Sequence, residues 1–152
     1  KRNLGLGGRV YVVLGDGELQ EGNIWESAMT SVHYNLDNVC VVVDHNRLQI
    51  DGFCEEVKGV ASVKAKFEAF GFNVLDIDGH DLAAVDEAIR TADAHKGQPT
   101  CIVLNTEKGH GVSFMANKAE FHGRALKDDE MVQAMGELGF EWSKETHAEV
   151  IA

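Results

Sequence analysis

A chain of 152 residues, 44% hydrophobic and 26% charged, holds enough apolar material for one domain with a sizeable core. Its formal net charge of -11 argues against nucleic acid and anionic membranes as general partners, because phosphate backbones attract Lys and Arg. No apolar run approaches the length of a membrane span, and no secretory signal is visible.

The opening Lys1-Arg2-Asn3-Leu4-Gly5-Leu6-Gly7-Gly8 reads as the end of a helix running into a turn, and so as a fragment boundary. Val10 to Leu14 follows as a continuous β-branched run, suited to a strand buried on both faces. Asn23 to Tyr34 has helical period, with Ile24, Ala28 and Val32 on one face. A second buried strand spans Val39 to Val43. A second helix runs from about Val60 to Phe70, with Val63, Phe67 and Phe70 in register and Gly71 placed as its C-cap. Asn73 to Ile77 is the third strand. Asp81 is an N-cap for a helix through Leu82, Val85, Ala88 and Ile89, which Gly97 would close. Thr100 to Leu104 is the fourth strand. A Gly- and His-rich loop to about Arg124 leads to a last helix, near Asp128 to Leu138.

This alternation implies an α/β fold, a doubly wound parallel sheet with helices on both faces. No linker or repeat divides residues 1–152, so they read as one domain. Met29, Phe67, Phe70, Met131 and Met135 are assigned to core packing. Cys40, Cys54 and Cys101 are odd in number and lack C-x-x-C spacing, which suits reduced thiols in the cytoplasm.

In open parallel sheets ligands bind outside the carboxyl ends of the strands. Here those ends carry Gly15-Asp16-Gly17-Glu18, Asp44-His45-Asn46-Arg47, Asp78-Gly79-His80-Asp81 and Glu107-Lys108-Gly109-His110-Gly111. Asp16 and Asn46 each offer a hard oxygen at a strand end, the donor type Mg²⁺ prefers. Gly15 and Gly17 would allow close approach and unusual dihedrals, and the Gly17 N–H could donate to a phosphate oxygen. Taken singly, Gly-Asp-Gly is common turn chemistry and asparagine a common cap. Their joint placement points to a shared ion. A dinucleotide fingerprint fails, because its third glycine position from Gly15 is Gln20, and no Walker lysine motif is present.

A longer pattern is more specific. Gly15-Asp-Gly-Glu-Leu-Gln-Glu-Gly22, Trp25-Glu26, His33-Tyr34, Leu36-Asp37-Asn38 and Asp44-x-Asn46-x-Leu-Gln-Ile-Asp-Gly52 run in series. Asp78-Gly-His-Asp81, Lys108-Gly-His-Gly-Val-Ser-Phe114 and Phe121-His122-Gly123 continue it. From about Arg9 to Leu138 the chain resembles transketolase, in a form similar to the amino-terminal subunit of bacterial two-subunit enzymes. The resemblance departs at Arg47, where the family often carries glycine.

The resemblance implies a thiamine-diphosphate-binding fold, here the C-terminal part of the diphosphate-binding domain and incomplete on its N-terminal side. It implies thiamine diphosphate and Mg²⁺, with Ca²⁺ or Mn²⁺ as substitutes. Asp16, Asn46 and the Leu48 carbonyl would hold the ion. Gly15, Gly17 and Glu18 would lie at the cofactor, Gly17 through its backbone. His122 would stand near the diphosphate and the donor sugar, and Glu21 and Glu26 would reach a dimer interface in a carboxylate network. The implied reaction moves a two-carbon ketol unit between sugar phosphates. The implied partner is a pyrimidine-binding domain or C-terminal subunit, in a homodimer or heterotetramer, without which this chain is inactive. Readings left open are a deoxyxylulose-phosphate synthase, a 2-oxo acid dehydrogenase component, or a non-catalytic subunit. His110, His33 and His45 read as packing or supporting residues.

Overall fold

The computed structural model describes Gly5 and residues 7–142. The four β-branched runs form strands β1 (Val10–Gly15), β2 (Val39–His45), β5 (Asn73–Asp78) and β6 (Thr100–Asn105). They make one parallel sheet in the order β1-β2-β6-β5. Parallel neighbours need crossovers, and α1 (Gly22–His33), α3 (Val63–Phe70) and α4 (Leu82–Ala94) supply them. A last helix, α5, covers Asp128–Glu137.

Alternation along the central strands explains the two helical layers. Val41 and Val43 of β2, with Cys101 and Val103 of β6, pack with Ala28, Val63 and Phe67 from α1 and α3. Cys40 and Ile102 point the other way and pack against Ala88 and Ala92 of α4. Each fully buried aliphatic side chain contributes roughly 1.5–3 kcal/mol. The α1–α3 layer also holds an aromatic stack, with Trp25 centred 5.4 Å from both Phe67 and Phe70.

Asp81 caps α4 as expected, accepting from the N–H groups of Ala83 and Ala84 at 2.9 and 3.2 Å. Gly71 closes α3 at φ 97, the left-handed conformation a C-cap requires. Other expectations need correction. The second helix begins at Val63 rather than Val60, because the Ser62 hydroxyl caps it by accepting from Ala65 N–H. Gly97 does not cap α4; the helix stops at Ala94, His95 N–H bonds Thr91 O, and Gly97 lies in the loop beyond. A two-residue hairpin, β3 (Leu48–Gln49) against β4 (Gly52–Phe53), and a short helix α2 (Cys54–Lys58) were not expected.

Burial departs from expectation at several places, Leu138 (47% exposed) and Ile89 (37%) among them. Val10 to Val13 are 36–70% exposed, because β1 is the edge strand and pairs only with β2 among the described residues. Met29 is 54% exposed on the outer face of α1, and is not a core residue. Leu82, at the first turn of α4, is 82% exposed. The expected helix end at Lys1 to Gly8 lies largely outside the described residues. No helix among the described residues is long and apolar enough to cross a membrane.

Candidate active site

The ladder between β1 and β2 sets Gly15 opposite Asp44. Asp16 and Asn46 therefore leave the sheet side by side, although thirty positions apart. Both are buried, at 2% and 7% exposure. Asp16 accepts from the backbone N–H of Arg47 at 2.6 Å and from the Cys54 thiol at 3.3 Å. No Lys or Arg side chain forms an ion pair with it among the described residues. Burial above all, and then its pairing with that carboxylate, push Cys54 up to about 12, so the sulfur stays a protonated donor.

The Asn46 amide is oriented by its neighbours. Its Nδ2 donates to Asp44 at 2.7 Å, and its Oδ1 accepts from Leu48 N–H at 2.9 Å. Asp44 is held in turn by the Thr106 hydroxyl. The amide oxygen, with a second lone pair beyond the one that accepts from Leu48 N–H, is thus the end able to coordinate a further group. Arg47, between these partners, sits at φ 66, where glycine is unstrained. Arg47→Gly is expected to raise stability by up to about 1 kcal/mol, since relief of left-handed strain outweighs the added chain entropy. A urea midpoint that rises at unchanged slope would show it.

Asp16 and Asn46 open into one cleft of about 420 Å³, lined also by Gly15, Gly17, Leu48, Lys108 and His122. Five acidic residues line it, Asp16, Glu18, Glu21, Asp44 and Asp51, against one lysine, Lys108. A cavity of that sign repels an anion unless a cation stands between. Glu18 folds back on its own turn and accepts from Gly15 N–H at 2.6 Å.

The glycines act through space, not through unusual dihedrals. Gly15 has φ -75, and Gly17 is not among the residues of positive φ. A Cβ on Gly17 would instead lie 3.1 Å from Cβ of Gln49, so its absence lets the first loop approach the β3–β4 hairpin. Gln20 bridges the same approach, donating to Gln49 Oε1 at 2.5 Å and to Lys58 O at 2.9 Å.

Lys108 and His122 arrive on the long connection after β6. The connection folds on itself through Asn117, which donates to Glu107 at 2.7 Å and through its backbone to Lys108 O at 2.9 Å. Gly109 makes that fold possible: it has φ 75, and a Cβ there would lie 2.8 Å from the Met115 backbone. Gly109→Ala is expected to cost about 2–4 kcal/mol, combining left-handed strain with a backbone clash. A thermal melt checks it; an unchanged midpoint would mean the connection is slack.

His110 stacks on His80 with centroids 3.7 Å apart, and His80 Nε2 accepts from Glu107 N–H at 2.8 Å. Neither ring lines the cleft. His45 braces the Asn46 loop through Asn105 at 3.3 Å. Glu21 reaches the cleft mouth, whereas Glu26, five positions along α1, is exposed and does not line it.

The profile of the family described as transketolase, thiamine diphosphate binding domain, matches residues 6–151. The chain belongs to the transketolase family. An apulose-4-phosphate transketolase subunit of Actinobacillus succinogenes is 38% identical over 130 residues, 86% of this chain and 47% of that protein. Human transketolase is 35% identical over 130 residues, 86% of this chain and 20% of its own length. Transketolase from Campylobacter jejuni superposes with a TM-score of 0.83 at 30% identity, over 90% of this chain and 21% of that one. The chain therefore spans about half the length of the transketolase subunits it matches, and about a fifth of human transketolase.

Within this transketolase-family domain, the sequence presents Lys108 and Asp44 only as members of motifs, and gives Thr106 no mark at all. The available signal is position: all three sit at or just past the carboxyl ends of β2 and β6, neighbouring strands in register from Cys40–Thr100 to His45–Asn105.

Proposed function

We propose that this chain, in its complete assembly, anchors thiamine diphosphate through a divalent cation for transfer of a two-carbon ketol unit from a ketose phosphate to an aldose phosphate. The observation that carries the reading is the buried Asp16 carboxylate, without a basic partner among the described residues, beside the oriented Asn46 amide in one acidic cleft. A carboxylate taken out of water calls for a compensating cation. Few protein oxygens, with room left for phosphate oxygens, suit Mg²⁺, with Ca²⁺ or Mn²⁺ as substitutes. Among the described residues no cluster of three or more His, Cys, Asp or Glu side chains forms a metal site by itself. That fits a set of one carboxylate, one amide and the Leu48 carbonyl, completed by the ligand.

When bound, the cofactor supplies the carbanion chemistry that the side chains lack. The protein's part is to bind, orient and neutralise. Asp16, Asn46 and Leu48 hold the ion. The Gly17 N–H donates to a phosphate oxygen, with Gly15 and Glu18 shaping that turn. Lys108 offsets diphosphate charge, and His122 hydrogen-bonds or moves a proton at a sugar oxygen. Glu21, immediately before α1, and Glu26, on its second turn, are both exposed and open to contact with a second copy in a homodimer or heterotetramer.

Relatives named as transketolase subunits support a partner that carries the pyrimidine-binding domain, without which this chain is inactive. Three buried free thiols support a reducing, cytoplasmic setting. Calorimetry of thiamine diphosphate binding to the complete enzyme tests the reading. Binding should require Mg²⁺ and vanish on chelation; affinity indifferent to chelation would overturn the cation role. Turnover of a ketose phosphate, and not of pyruvate, should accompany it.

A further inference from the structure

His122 carries a role in the cleft, yet it ends only a short 3-10 turn, Ala119–His122, and is itself exposed. Its position must be set by its neighbours along the chain. Arg124, two residues on, grips Glu130 through two parallel bonds, Nη1 to Oε2 at 2.8 Å and Nη2 to Oε1 at 2.9 Å. The same guanidinium lies 4.4 Å from the ring centre of Phe121, which precedes His122. Phe121 packs edge-on against Phe114, 5.7 Å away, on the earlier arm of the connection. Glu130 also accepts from Lys127 N–H at 2.8 Å, tying the clamp to the first turn of α5. The residues on both sides of His122 are thus fixed to one carboxylate at a helix start.

We propose that Arg124 and Glu130 are positioning residues that set the reach of His122 into the cleft. The proposal rests on the role given to His122 above. An exposed ion pair contributes little to stability. This pair is bidentate, with side chains 35% and 23% exposed, and is stacked on an aromatic ring, so it defines a geometry more than it adds energy. Arg124 does not line the cleft. It acts only through the backbone between Phe121 and Arg124.

The test is a mutant cycle in the complete enzyme, with His122→Ala, Arg124→Met and the double variant. His122→Ala should lower kcat/KM for the ketose donor. Arg124→Met should lower the same parameter roughly tenfold, and the double variant should be no worse than His122→Ala alone. Calorimetric affinity for Mg²⁺ and thiamine diphosphate should fall no further in Arg124→Met or in the double variant than in His122→Ala. Glu130→Gln, which keeps the side chain's shape, should reproduce the Arg124→Met effect if that variant folds poorly. Additive losses, or an unaltered kcat/KM in Arg124→Met and Glu130→Gln when His122→Ala is impaired, would overturn the positioning role. A silent His122→Ala would overturn the His122 assignment, and this proposal with it.

Discussion

Asp16→Ala in the complete enzyme is expected to weaken Mg²⁺-dependent binding of thiamine diphosphate at least ~100-fold, on the order of 3 kcal/mol, the range of a lost charged contact. The substitution removes the buried carboxylate and leaves the Arg47 N–H and the Cys54 thiol without their acceptor. Asp16→Asn separates these effects. It keeps an oxygen for Arg47 N–H, deletes the charge and turns an NH₂ toward the Cys54 sulfur, which can accept, so a large loss in Asn as well as Ala assigns the effect to cation binding. Asn46→Ala should lose affinity in the same direction, because only the amide's oxygen end remains available once Nδ2 is taken by Asp44. Titration calorimetry at fixed Mg²⁺ reads all three. Wild-type affinity in Asp16→Asn would remove the basis for a shared ion.

The second large effect concerns stability. Phe67→Ala should cost about 3–5 kcal/mol, as large-to-small changes in a closed core do. Phe67 is 1% exposed and touches rings on both sides, Trp25 at 5.4 Å and Phe72 at 5.2 Å. Its loss opens a cavity under α3 that the sheet cannot collapse to fill. For a domain of this size the melting transition should fall by roughly 10 °C. Met29→Ala is the contrast: half-exposed on α1, it should change stability by no more than about 0.5 kcal/mol. Equal losses at the two positions would contradict the packing described.

A smaller effect follows from the clamp beside His122. The Arg124 hydrogen bond, then the Lys127 N–H, lowers Glu130 from an ordinary carboxylate to about 2. A carboxylate lowered in the folded state stabilises above its unfolded range, and that contribution fades as pH falls through the folded value. The stability gap between wild type and Glu130→Gln should therefore be constant above pH ~5 and close between pH ~4 and ~2. Denaturation midpoints across that range measure it.

The sheet was legible because a parallel strand covered on both faces leaves an uninterrupted apolar run, and Val39 to Val43 and Thr100 to Leu104 are such runs. Edge position left no such mark. Val10 to Leu14 has the composition of a central strand, and only the pairing order reveals that it lies outermost. The hairpin and α2 were illegible for want of length: two-residue strands and a five-residue helix carry no periodicity. Gly97 misled because a glycine near a helix end is a capping signal, whereas a backbone bond from His95 had already closed the helix.

At the site, Asp16 and Asn46 could be paired from sequence because each follows its strand closely. Lys108 could not be assigned a role, since its place in the cleft depends on how the connection from Glu107 to Asn117 folds back. Glu21 and Glu26 looked equivalent in sequence. Five residues along a helix turn a side chain to a different side, and only the first of them borders the cavity.

The gap between the Asp16 and Asn46 loops is fixed by the main-chain ladder that runs from Val10 opposite Val39 to Gly15 opposite Asp44. Apolar side chains at the exposed positions Val10, Val12 and Val13 do not set that spacing, so valine, isoleucine or threonine can replace one another there without moving the two oxygens apart. The chemistry at the rim is in this way uncoupled from drift on the exposed part of β1, which is free to diverge while the ends of the loops stay put.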